Sequence, residues 1–95
     1  MHVRSRAHAF MKLTESFAQV LRSRRTAAEL TQVELAFRSG LHPNFISRLE
    51  LAKAQPTLDS IVALARALGT TAVSLVGETE ALSTAVRRSA RPKQH

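Results

Sequence analysis

Histidines, cysteines and paired carboxylates are the side chains that most often hold metals or carry catalysis, and none is spaced here for either task. The four histidines (His2, His8, His42 and His95) are scattered, with no i, i+4 pair to set two imidazoles on one helix face. Cysteine is absent, which excludes disulfides and thiolate zinc sites. Glu78 and Glu80 are the nearest approach to paired acids, and they read as part of a polar tail without a supporting core. No metal site, no cofactor and no enzymatic activity are therefore expected. The chemistry on offer is cationic: fourteen Lys and Arg stand against seven Asp and Glu, a net charge of +7. That balance favours an anionic partner, and nucleic acid is the commonest.

The charge is unevenly spread. Residues 14–76 are nearly balanced, whereas Arg4, Arg6 and Lys12 precede them and Arg87, Arg88, Arg91 and Lys93 follow. This divides the chain into a basic N-terminal extension (1–13), a central domain (14–76) and a basic C-terminal tail (77–95). Flexible tails of this kind strengthen DNA binding but cannot read its sequence. Ninety-five residues suffice for one domain with a modest core. No apolar run approaches the roughly 18 residues that a membrane helix needs, and residues 1–12 lack the apolar stretch of a secretory signal. A cytoplasmic, nucleoid-associated protein without membrane contact is expected, and Met11 is a second candidate for the translation start.

The elements that must position any binding residues are helical. Phe17, Val20 and Leu21 share one face of a first helix over about 14–26. Thr31-Gln32-Val33-Glu34 has the Thr-x-x-Glu spacing of a capping box and opens a second helix that Gly40 ends. Pro43 suits the first turn of a third helix, with Ile46 and Leu49 inward. Thr57 caps a fourth, in which Leu58, Ile61, Leu64, Ala65 and Leu68 form the inward stripe and Gly69 the stop. Thr71 caps a short fifth helix carrying Val73, Leu75 and Val76. From Gly77 the pattern fades, with a marginal helix over 78–89 and disorder over 90–95. No strand signal competes, and the expected fold class is all-α with five helices.

Helices two and three, joined by a few residues around a glycine, have the geometry that presents a second helix to the DNA major groove. Ala36 permits close approach, and Ile46 and Leu49 fill the angle between them. Residues 17–76 also resemble the helix-turn-helix domain of the phage repressor and Cro-like (XRE-type) family. The matching runs are Leu30-Thr31-Gln32-Val33-Glu34-Leu35-Ala36, Ser39-Gly40-Leu41, Phe45-Ile46-Ser47-Arg48-Leu49-Glu50, Pro56-Thr57-Leu58 and Leu64-Ala65-Arg66-Ala67-Leu68-Gly69. The motif proper covers about 32–51.

The resemblance implies a sequence-specific transcriptional regulator, and it implies roles. Gln32, at a helix N-terminus, would meet a phosphate. Asn44, Phe45, Ser47 and Arg48 would line the outer face of the third helix. Arg48 can pair with guanine O6 and N7, Asn44 with adenine N6 and N7, and Phe45 can touch a thymine methyl. Phe45 is equally suited to packing on the second helix, and Ser47 to phosphate or base. Lys53 would meet a phosphate. His42 stands where relatives often have a serine cap, and capping, phosphate contact and neither all stay open. Arg25 and Glu50 occupy the positions of a structural ion pair. The sequence departs from the family at Leu51-Ala52-Lys53-Ala54. Ala52 replaces a helix-ending glycine, so it either turns left-handed at a cost near 1 kcal/mol or the helix runs on. Two basic phosphate contacts, at 51 and 54, are missing.

One such helix reads too few base pairs for a useful address, so a homodimer on a palindromic stretch of double-stranded DNA is expected, with the fifth helix as its contact surface. An antitoxin whose tail folds on a toxin partner is the alternative. A protein–protein adaptor would have had no reason to keep Gln32, Asn44 and Arg48 together.

Overall fold

A computed structural model describes the backbone of residues 2–90 and the side chains of residues 13–85. It comprises α1 (His2–Ala27), α2 (Gln32–Ser39), α3 (Pro43–Glu50), α4 (Leu58–Ala67) and α5 (Ala72–Ala90), with no strand among the described residues. The interior gathers Phe17, Val20 and Leu21 from α1, Leu35 and Ala36 from α2, and Ile46 and Leu49 from α3, with Leu64 and Ala65 from α4 and Leu75 from α5. α1 packs most extensively against α5, while α3 lies against both α1 and α2, and α4 against α2 and α5.

The local signals act where they stand. The Thr31 hydroxyl accepts from the Glu34 N–H at 3.0 Å while the Glu34 carboxylate accepts from the Thr31 N–H at 2.8 Å, completing the capping box of α2. Gly40 follows α2 at φ 75°, and the Gly40 and Leu41 N–H groups both close on Ala36 O. That left-handed conformation is one a Cβ would strain. Thr57 caps α4 through Ser60 in the same reciprocal way.

Four expectations need correction. α1 starts at His2, not near residue 14, because residues 2–27 contain neither glycine nor proline to interrupt it. α5 is not short: it runs 19 residues through Gly77, so the short fifth helix and the marginal helix expected over 78–89 are one continuous element. Packing on α1 outweighs the roughly 1 kcal/mol that a mid-helix glycine costs. Thr79 and Ser83 are buried there, and the Thr79 hydroxyl donates to Leu75 O at 2.8 Å. Leu75 is fully buried and cannot serve a dimer surface. Helical spacing sets it about 200° around the axis from Val73. Leu58, read as part of the inward stripe of α4, is 75% exposed. It occupies the first turn, where side chains lean back beyond the helix end. Residues 91–95, expected to be disordered, lie outside the described residues.

Candidate nucleic-acid interface

Three residues, Gly40 to His42, join α2 to α3. Ala36, buried on α2, leaves room for the fully buried Ile46 and Leu49 of α3. With those two inward, α3 presents Pro43, Asn44 and Arg48 to solvent, with Ser47 half-buried between them. His42 caps α3: its Nδ1 accepts from the Asn44 N–H at 3.1 Å, so capping is present among the roles its sequence position left open. Phe45 is half-buried and packs against the core, a placement that favours its packing role.

The two helices are tied together by one carboxylate. Glu50, at the end of α3, accepts from Arg25 Nε at 2.6 Å and Nη2 at 2.9 Å, and from Gln32 Nε2 at 2.9 Å. Arg25 Nη1 donates onward to Leu30 O at 2.8 Å, bracing the turn into α2. The bonds to Glu50 raise the Arg25 pKa above its ordinary value, against the opposing effect of burial. Gln32 stands at the first position of α2, and its amide spends one hydrogen on Glu50.

The end of α3 resolves the Ala52 question. Ala52 adopts φ 58°, its N–H meets Leu49 O at 3.1 Å, and the Lys53 N–H closes on Arg48 O at 2.8 Å. A left-handed alanine therefore closes the helix, the role for which glycine is the usual residue. Arg48 Nη2 donates to Lys53 O at 2.9 Å, so its guanidinium lies along this turn, and Lys53 is exposed beside it.

Two contacts had no signal in the sequence. Arg24 and Glu78, 54 positions apart, form an ion pair between α1 and α5, with Arg24 Nε to Glu78 Oε1 at 3.0 Å. This overturns the reading of Glu78 as part of an unsupported tail. The Gln32–Glu50 bond likewise links residues 18 apart. Leu51, which caps the C-terminus of α3, is 60% exposed, and Val33 and Phe37 form an apolar pair on the outer side of α2. Among the described residues no three His, Cys, Asp or Glu side chains are grouped to hold a metal, and no single helix is long and apolar enough to cross a membrane.

Comparison with known proteins agrees with this architecture. A family model described as helix-turn-helix matches residues 21–75. The chain is 37% identical over 67 residues to the control protein C.SmaI of Serratia marcescens, covering 70% of this chain and 80% of that one. It is 46% identical over 55 residues to an uncharacterised helix-turn-helix-type transcriptional regulator of Sinorhizobium fredii, covering 58% of this chain. It spans only 28% of that protein's length. Among solved structures, the clp gene regulator ClgR of Corynebacterium glutamicum superposes with a TM-score of 0.75 at 25% identity, over 81% of this chain and 82% of that one. The restriction–modification controller C.AhdI of Aeromonas hydrophila superposes at 0.64 with 37% identity, over 65% and 94%.

Proposed function

The chain belongs to the helix-turn-helix family of XRE-type, Cro-like transcriptional regulators, and we propose that it binds a palindromic or nearly palindromic operator as a homodimer, with α3 of each protomer in the major groove. One observation carries this reading. The solvent-facing strip of α3 bears Asn44, Ser47 and Arg48, and Glu50 holds that helix in fixed relation to α1 and α2.

Asn44 pairs with adenine, and Arg48, once it leaves the Lys53 carbonyl, pairs with guanine. Each correct pair contributes roughly 1–3 kcal/mol of discrimination. Gln32 offers its second amide hydrogen to a phosphate, where the α2 N–H groups add their own attraction. Lys53 meets the backbone, and Ser47 contacts base or sugar. His42, with Nδ1 spent on the cap, has Nε2 left for a phosphate, and Phe45 supports the helix from beneath. Val73 and Val76 of α5 form the dimer contact. Val76 borders an apolar groove with Leu13, Phe17, Pro56 and Ile61, and Val73 is exposed one turn away on the same side. The likeness to a control protein and to a restriction–modification controller supports a compact cytoplasmic, nucleoid-associated regulator whose specificity rests on this domain.

Selection of random duplexes on the purified protein tests the reading. A two-fold motif should emerge, and the double substitution Asn44→Ala, Arg48→Ala should abolish preference for it while leaving the fold intact. Absence of any motif, or undiminished selectivity in the double variant, would sink the proposal.

A further inference from the structure

We propose that Leu51 is a specificity-determining residue that reads the C5-methyl group of a thymine in each half-site. The inference rests on α3 entering the major groove, and it adds a contact that none of the polar residues can make.

Burial along α3 defines the strip. Asn44, Arg48 and Leu51 are exposed and Ser47 half-buried, while Ile46 and Leu49 are buried. Their spacings of three, four and seven residues put Leu51 on the same face as Asn44, Ser47 and Arg48. Leu51 is held firmly there. Its N–H donates to Ser47 O at 3.0 Å, its own backbone is at φ −95° and ψ 5°, and the left-handed Ala52 with the Lys53-to-Arg48 bond closes the turn behind it. A backbone anchored in this way loses little freedom on binding.

Leu51 is 60% exposed and is not among the hydrophobics packed on the core, so its isobutyl group does not stabilise the fold by burial. Nor can it satisfy a phosphate, which leaves apolar contact as its chemistry. In the major groove the exposed apolar group is the thymine methyl. The aromatic residue on the helix, Phe45, is already committed to the core. From Asn44 to Leu51 the helix rises about 10 Å, so the two side chains reach different base pairs of one half-site.

The probe is the duplex selected on the wild-type protein, with each thymine replaced singly by deoxyuridine. At one thymine per half-site, loss of the methyl should weaken wild-type binding about fourfold, the weight of one buried methyl group. Leu51→Ala should bind the parent duplex about as weakly and show no further loss at that position, with an unchanged melting temperature. Pro43→Ala should keep the wild-type sensitivity. The proposal is overturned if the selected half-site lacks thymine, or if every uracil substitution affects wild type and Leu51→Ala alike. It is also overturned if sensitivity disappears in Pro43→Ala instead. A Leu51→Arg variant that tightens binding to all sequences with a steeper salt dependence would set position 51 over phosphates, and overturn it too. Failure of the selection itself removes the operator reading as well. A clear motif without a Leu51-dependent methyl removes this contact alone.

Discussion

Arg25 grips Glu50 through two parallel hydrogen bonds, Nε to Oε2 and Nη2 to Oε1, across 25 positions of sequence. The two side chains retain only 13% and 4% of their exposure. Because Gln32 shares the same carboxylate, a single charge sets the relation between α1, the entry of α2 and the exit of α3. The groove-facing strip inherits its orientation from that junction.

Removing either partner leaves the other nearly buried and unpaired. Glu50→Ala or Arg25→Ala should each destabilise the fold by about 3 kcal/mol, the low end for buried pairs. Replacing both by apolar residues of similar volume should destabilise less than either single change. Urea unfolding of the three variants measures this. Additive losses would mean that the pair is not coupled.

Acid should weaken the protein through two other carboxylates. Bonds from Thr31 hold the Glu34 pKa below its ordinary value, and the bond from Arg24 does the same for Glu78. A lowered folded-state pKa gives stability that is complete above the unfolded value and is lost as pH falls through the folded one. Stability should therefore be level at neutral pH and fall below the ordinary carboxylate range. Glu34→Gln and Glu78→Gln should each flatten that acid limb in thermal melts followed from pH 6 down to about pH 2.

Ala52 and Glu29 both hold positive φ, 58° and 59°, at the ends of α3 and α1. Relief of left-handed strain by glycine exceeds the extra entropy that glycine brings to the unfolded chain. Ala52→Gly should stabilise by about 0.5–1 kcal/mol and raise the melting temperature by a few degrees. Operator affinity should stay within a factor of about two, since the turn itself is unchanged. Destabilisation by this substitution would show that the alanine methyl makes a contact worth more than the strain.

Val73 is 83% exposed on α5, while Leu75, two residues on, is fully buried. Val73→Glu should therefore yield a folded monomer by light scattering, with operator affinity reduced at least tenfold, because each half-site then binds alone. Leu75→Glu should unfold the domain. A Val73→Glu protein that stays dimeric would move the contact surface elsewhere.

The sequence by itself determined the helix-turn-helix region and its punctuation. Thr31 with Glu34, Gly40, Pro43, Thr57 and Gly69 act on the few bonds beside them, so their effect is legible within four residues of chain. It also determined which side chains of α3 face inward, because Ile46 and Leu49 are apolar at helical spacing. Tertiary structure alone decided the reach of α5, since Gly77 weakens the helix locally and only burial of Leu75, Thr79 and Ser83 restores it. It decided, too, that Glu78 pairs with Arg24, that the Gln32 amide and Arg25 share Glu50, and that Arg48 lies against Lys53 O. The first two of these join residues 18 to 54 positions apart, and the last depends on the left-handed conformation of Ala52. Local pattern governs where each helix begins and ends, whereas the partner of a charge depends on which surfaces meet once the core has closed.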